Sequence, residues 1–296
     1  MALQTTGLGG LSVEMKTYYD RRLLMRAVPM LFFDKFAQKR SIPKRGGKII
    51  EFRKFATLGV ATTALTEGTP PALQDLTASS ITATVIQQGG AVGFSDLVST
   101  TTIDPVLDET VDLLAEQYAE TIDQLIRDVL VAGTTVQYAG ASAGRQFISI
   151  TENFVVAEIR TAKLTLEINR ARKINGFYHC IIHPRSAFDL QATAEWISAN
   201  QYAQSGRQFD GSLGELYGVK FWVTDKAPFF ADAGNGSGAG GTIDIYAALM
   251  FGADAYGIVA LDGHNIETIY KPLGSAGTAD PLNQQQSMGW KCTFTT

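Results

Sequence analysis

The chain has 296 residues, is 45% hydrophobic and 18% charged, and carries a formal net charge of −4, values that exclude a wholly disordered polypeptide. Its opening, MALQTTGLGG, has neither a basic nor an apolar stretch, and no run approaches the roughly 18 apolar residues of a membrane span, so neither a secretory leader nor a membrane helix is expected and the compartment is read as cytosol-like. The charge is uneven: residues 16–54 hold twelve Lys and Arg against Asp20, Asp34 and Glu51, which leaves 13 basic and 26 acidic residues elsewhere. One end is therefore built to attract acidic protein surface or an outside polyanion.

Residues 12–28 are predicted to form an amphipathic helix, with Ser12 as cap, Pro29 as stop and Met15, Tyr18, Tyr19 and Leu23 at helical spacing. MLFFDKFAQ adds a further turn. Pro43 and Gly46-Gly47 then break the chain before KIIEFRKFAT, which alternates as a strand and returns in SSITATVI with Ile81, Ala83 and Val85 on one face. Between them lies ALTEGTPPALQDLT, far longer than the usual hairpin loop of about 2 to 5 residues. Such a ribbon, reaching about 30 Å, needs a surface to lie on. Gly89-Gly90 reads as a hinge before a short strand, AVGFSD.

Residues 104–131 carry the clearest helical signal. Asp104 caps, Pro105 takes the first turn, and Leu107, Val111, Leu114, Tyr118, Ile122, Leu125 and Val129 form a stripe. Asp108, Asp112, Glu116, Glu120 and Asp123 are assigned to the opposite, acidic face of this rod of about 40 Å. A loop, GTTVQYAGASAG, leads to a second helix over roughly 153–173, a strand-like RQFISI lying between them. The strand GFYHCIIHP follows, then a helix from Pro184 through RSAFDLQATAEWISANQY. The strands GVKFWVTDKAP, TIDIYAALMFG, YGIVAL and IETIYKP precede the closing SMGWKCTFT. This alternation predicts a mixed α/β layer. Cys180 and Cys292 sit inside apolar strands and are expected to be buried, reduced thiols.

Candidate chemistry is sparse. GASAG places Ser142 in a G-x-S-x-G pattern, but a nucleophile elbow needs a strand before the serine and a helix directly after it, and a loop of small residues is the simpler account. His179 and His183, four apart on a strand, would lie about 13 Å apart and could not share an ion. His183 before Pro184 is better read as opening a helix, and His264 stands alone in a loop. GNGSGAGG and GGKII have the composition of phosphate loops without the flanking elements. The basic segment with its aromatic residues permits nonspecific phosphate contact, although no nucleic-acid module is present.

Five stretches, taken in order, point to a known family: YYDRRLLMRAVP (18–29), PKRGGKIIEFRKF with LTEGTPP, SDLVSTTTIDPV, LAEQYAETIDQLIRDVLVAGTTVQYA (114–139) and DPLNQQQSMGWK (280–291). The chain resembles the major capsid proteins of tailed bacteriophages with the Hong Kong 97 type of fold, and more narrowly those named after the podovirus N4. The resemblance implies an α+β chain with an N-arm (1–45), an extended β-hairpin loop (46–91), a peripheral domain (92–149 and 263–296) with a spine helix at 104–131, and an axial α/β domain (150–262). It implies a structural, non-enzymatic protein of the virion that assembles with itself into hexamers and pentamers of an icosahedral shell around DNA, in the host cytoplasm. No cofactor or metal is expected.

A separate scaffolding protein, a portal, a decoration protein and nonspecific contact with packaged DNA are the implied partners, and no membrane. Inter-subunit contacts are expected from Arg21, Arg22, Arg26, Lys39 and Arg40 of the arm, from Glu67, Pro70 and Asp75 of the loop tip, and from the row Asp108, Asp112, Glu116 and Glu120. The tip lacks lysine, so no covalent lysine–asparagine crosslink is expected. The competing readings are another self-assembling virion protein, such as a tail or connector subunit, and a serine hydrolase using Ser142.

Overall fold

The computed structural model describes residues 22–23, 25–26, 31–43, 45–71, 73–101, 106–195, 214–236, 242–261 and 266–296. Two compact units are formed, residues 1–38 with 97–257, and residues 39–96 with 258–296. Much of the predicted arm helix, its Ser12 cap, Arg21, the Asp104–Pro105 start of the spine helix, His264 and most of the glycine run 234–241 lie outside the described residues.

In the first unit, Arg22, Leu23, Met25 and Arg26 are helical, and a 3-10 turn occupies Phe33–Phe36, where a further turn was expected. Helix α1 (Asp96–Thr101) precedes the long α2 (Val106–Val131). The buried face of α2 is Val111, Leu114, Ala115, Ala119, Ile122, Asp123 and Ile126, while Val129 is 45% exposed. The stripe is thus turned from the predicted one: Ala115 and Ala119 are small enough to let packed neighbours approach, and Asp123 belongs to the inner face rather than the acidic outer one.

Helix α3 (Val156–Ile168) is shorter than the predicted 153–173, since Arg170, with φ 53°, leaves the helical region. Strand β5 (Tyr178–Ile182) is buried at every position. It pairs in parallel with β7 (Val219–Val223) and antiparallel with β10 (Leu249–Phe251), and β6 (Glu215–Leu216) completes the sheet. Helix α4 (Pro184–Gln191) opens on His183, whose Nδ1 accepts the Arg185 N–H, and is interrupted at Ala192–Thr193; Ala194 and Glu195 are helical again, and the rest of the predicted run, 196–202, lies outside the described residues. Val156, Ile159, Tyr178, Cys180, Ile182, Leu190, Val219 and Phe221 form the core between α3, α4 and this sheet. A ribbon of β8 (Phe229–Asn235) and β9 (Thr242–Tyr246) stands apart from it.

The second unit is built on β13 (Gln285–Thr295). Gln286, Met288, Trp290, Cys292 and Phe294 alternate into its buried face, the period-2 pattern of a half-buried strand. It pairs with β4 (Ile86–Ser95) over ten residues on one side. On the other side lie β12 (Glu267–Lys271) and β11 (Gly257–Leu261), the latter continued by β1 (Gln38–Ile42). Gly89-Gly90 is no hinge: both lie inside continuous β4, where a side chain at Gly89 would place Cβ 2.8 Å from the Trp290 carbonyl oxygen. Across from them, a Cβ on Gly289 would come within 2.7 Å of the Gly90 oxygen. These glycines serve close backbone approach rather than bending. Val85, between β3 and β4, is buried and packs with Ile42 and Val259.

Strands β2 (Ile49–Phe55) and β3 (Ala78–Thr84) form the expected ribbon, paired over seven positions from Ile49↔Thr84 to Phe55↔Ala78. Seven residues span about 23 Å, less than the expected 30 Å, with the remaining reach supplied by the unpaired tip.

Candidate interaction surfaces

The arm is held by charge along one side of α2. Arg22 forks onto Asp112, donating from Nε at 3.1 Å and from a terminal nitrogen at 3.0 Å, and its other terminal nitrogen reaches Asp108 at 3.1 Å. Arg26, one turn on, meets Glu116 at 2.7 Å. The four-residue step from Arg22 to Arg26 matches the step from Asp112 to Glu116, so the two helical segments run side by side in the same direction. Arg22 holds the Asp112 carboxyl below its ordinary range, chiefly through its hydrogen bonds and against the opposing effect of burial. Leu23 between the two arginines is fully buried.

Further along the same line the contact turns from ion pairs to backbone. Asp123 is 1% exposed, and its carboxylate accepts the Phe32 N–H at 2.9 Å and the Phe33 N–H at 3.2 Å. It therefore satisfies donors at the start of the 3-10 turn, as a capping carboxylate does. Burial pushes the Asp123 pKa up, opposed by those N–H groups and by Lys226. On the other side of the turn the Tyr256 hydroxyl donates to the Phe33 carbonyl at 2.6 Å. Phe36 enters an aromatic box, with ring centres 4.9 Å from His179, 5.4 Å from Trp222 and 5.6 Å from Phe251. Trp222 Nε1–H donates to His179 Nδ1 at 2.8 Å, which fixes the tautomer, and burial with nearby Lys220 lowers the His179 pKa. This anchor was not legible beforehand: a single acid at helical spacing from Ala119 and Ile126 was the only signal.

The sequence-derived contact residues thus divide into three groups. Arg22, Arg26, Asp108, Asp112 and Glu116 are brought together within one chain, and Glu120 lies 4.0 Å from Lys226 Nζ. Lys39 and Arg40 project from β1, Arg40 stacking 4.6 Å from the Phe52 ring centre. Glu67, Pro70 and Asp75 are exposed in the tip, beside Leu58, Val60, Leu65, Leu73 and Leu76, which are 54 to 95% exposed. These bare leucines and valines are the apolar exposure that the tip leaves to solvent within one chain.

Ser142 does not sit in an elbow. It follows a 3-10 turn (Ala139–Ala141) and precedes another (Arg145–Phe147), which also replaces the strand expected in RQFISI. Its hydroxyl lies 3.5 Å from the Glu152 carboxylate, a group that can accept its proton's hydrogen bond but supplies no imidazole base. Among the described residues no group of three His, Cys, Asp or Glu could hold a metal ion, and no helix is long and apolar enough to cross a membrane. Cys180 and Cys292 are buried and free.

A family model described as phage capsid protein matches residues 78–296. No curated protein matches the chain. Among solved structures, the chain is similar to the capsid of cyanophage P-SCSP1u, at 15% identity and a TM-score of 0.64, covering 89% of this chain and 83% of that one. The capsid of cyanophage Pam1 gives 16%, 0.64, 91% and 86%. That of Ralstonia phage GP4 gives 15%, 0.61, 88% and 82%.

Proposed function

The chain belongs to the phage capsid protein family, and from that premise we propose that its copies close into hexamers and pentamers of an icosahedral shell around phage DNA. It is a structural protein of the virion capsid with the Hong Kong 97 type of fold. The observation that carries the proposal is the ribbon β2–β3 with its tip. Residues 56–77 extend beyond the last paired residues, Phe55↔Ala78, and expose apolar side chains that a solitary chain would leave in water.

Within that reading, residues 1–45 are the N-arm, 46–91 the extended loop, 92–149 with 263–296 the peripheral domain, and 150–262 the axial domain. Arg22 and Arg26 are engaged with the acidic row of their own α2, and the neighbours are met by Arg21, Lys39 and Arg40 of the arm and by Glu67, Pro70 and Asp75 of the tip. The role is structural rather than catalytic, and Ser142 has no part in it. A separate scaffolding protein, a portal and a decoration protein act with it during assembly in the host cytoplasm, and packaged DNA is touched without sequence preference. No lysine-based covalent seal forms at the tip, so denaturing gels of mature particles show one monomer band. Deleting residues 1–45 tests the arm: misdirected or absent shells are expected, and normal shells would refute its role.

A further inference from the structure

Between α3 and β5 the chain reads INRARKING, residues 168–176, which sets Arg170, Arg172 and Lys173 close together. Helix α3 ends in a Schellman motif: the Ala171 N–H reaches the Leu166 carbonyl at 2.9 Å and the Arg170 N–H reaches the Glu167 carbonyl at 3.0 Å. The motif needs a left-handed residue just past the cap, and glycine is the usual choice. Here Arg170 takes that position, with φ 53°, at a steric cost that glycine would not carry. Strain of this kind is kept where a side chain serves function rather than folding.

The loop is fixed along its backbone. Ala171 packs against the core, and its carbonyl accepts the Tyr178 hydroxyl at 3.0 Å. The Arg172 carbonyl accepts the Ala253 N–H at 2.8 Å and lies so near Gly252 that a Cβ there would come within 2.2 Å of it. Ile174 and Phe177 exchange both backbone hydrogen bonds around Asn175-Gly176. From this frame Arg170, Arg172 and Lys173 stand exposed. The turn at Tyr217-Gly218 lies at the same end of the sheet, the Gly218 carbonyl accepting the Tyr178 N–H, with Arg160 5.7 Å from the Tyr217 ring centre. Glu167 is shared by Lys163 at 3.7 Å and Lys173 at 3.2 Å. Glu215 and Asp254 belong to this end too, and the cations Arg160, Lys163, Arg170, Arg172 and Lys173 outnumber the acids.

We propose that this loop is a contact for the phosphate backbone of packaged DNA, with Arg170 and Arg172 each meeting a phosphate. A guanidinium fork matches phosphate oxygens in pairs. A lasting protein interface is built on an apolar centre, whereas this loop turns Ala171 inward and offers charge alone. A polyphosphate asks for nothing more, and its contacts carry no sequence information. Because the backbone is already held, little ordering is lost when the contact forms. The inference rests on the shell proposed above and names the surface that faces its contents.

Salt dependence tests it, since each neutralised phosphate adds about 0.9 to the slope of log affinity against log salt. Purified subunit is titrated with labelled duplex DNA over a range of sodium chloride. Arg170→Gly combined with Arg172→Gln should flatten the slope by about 2 and weaken low-salt binding about tenfold or more. Arg170→Gly alone, relieved of strain, should keep or raise the melting temperature, so weaker binding there is not a folding defect. An unchanged slope would overturn the proposal. In particles, an arginine-specific dicarbonyl reagent should modify Arg170 and Arg172 about fivefold more slowly in DNA-filled shells than in emptied ones. Equal rates would overturn it, as would equal protection of emptied shells by inorganic phosphate, the mark of a site for free phosphate. Variants that stop shell formation with an unchanged slope would assign the loop to a neighbouring copy and refute it. Failure of the unmodified chain to build shells beside its scaffolding protein would instead strike the assembly reading, and the titration would still decide whether the loop holds DNA.

Discussion

Replacing Asp123 by alanine removes the acceptor that holds the start of the arm's 3-10 turn. Two N–H groups, of Phe32 and Phe33, lose their carboxylate partner. A buried donor left unsatisfied costs about 1–3 kcal/mol. Part of this is offset because burying the charge was itself unfavourable, as the raised pKa records. A net loss of about 2 kcal/mol is expected, equivalent to about a 30-fold faster local opening. Hydrogen exchange at the Phe32 and Phe33 amides reads this directly. Asp123→Asn keeps one acceptor and should show a smaller change. The sign of the pH effect follows too: the folded carboxyl keeps its proton at pH values where the unfolded chain has lost it, so this group's contribution to stability falls as pH rises through its folded-state pKa. Asp123→Asn should remove that slope. Unchanged exchange in Asp123→Ala would refute the anchor.

Arg22→Ala should return the Asp112 pKa upward toward its ordinary value, visible by NMR titration, and should remove stability that is present at neutral pH and lost as pH falls through the depressed pKa. Gly289→Val should destabilise the second unit by about 1–3 kcal/mol in urea unfolding, since its Cβ would strike the Gly90 oxygen at 2.7 Å and Ala91 Cβ at 2.9 Å. Burial pushes the Cys180 thiol up to about 12 and Cys292 to about 11; both should stay unreactive toward a thiol reagent at pH 8 until the chain is unfolded, and rapid native labelling would contradict their burial. Ser142→Ala should leave any ester hydrolysis by the purified chain at its background rate, and a loss of activity would revive the hydrolase reading.

Local patterns were the most legible part of this protein. The spine helix, the ribbon and the alternating β13 announce themselves through period 3.6 or 2, because one partner surface decides each of their faces, and β5, buried at every position, through a short run of mostly apolar residues. What was missed depends on distant neighbours. Asp123 belongs to the inner face of α2 only because the Phe32 and Phe33 N–H groups arrive there from about ninety residues away. Gly89 and Gly90 read as a hinge because glycine's freedom is visible in sequence, whereas the Trp290 carbonyl that crowds Gly89 is not. Strand β8 escaped notice since FFADAGN contains residues that suit turns, and pairing with β9 overrides that preference. The arm and the acidic row were expected to contact neighbouring subunits, whereas Arg22 and Arg26 pair with the row of their own chain; charge alone does not distinguish a chain's own arginines from a neighbour's.

The central claim is that this chain is the repeating subunit of a closed shell. Electron microscopy of the particles this chain forms when expressed together with its scaffolding protein tests it most directly. The account predicts icosahedral shells whose hexamers and pentamers are filled by this chain, each ribbon lying across an adjacent copy. Open tubes, isolated rings or unassembled monomers would contradict it.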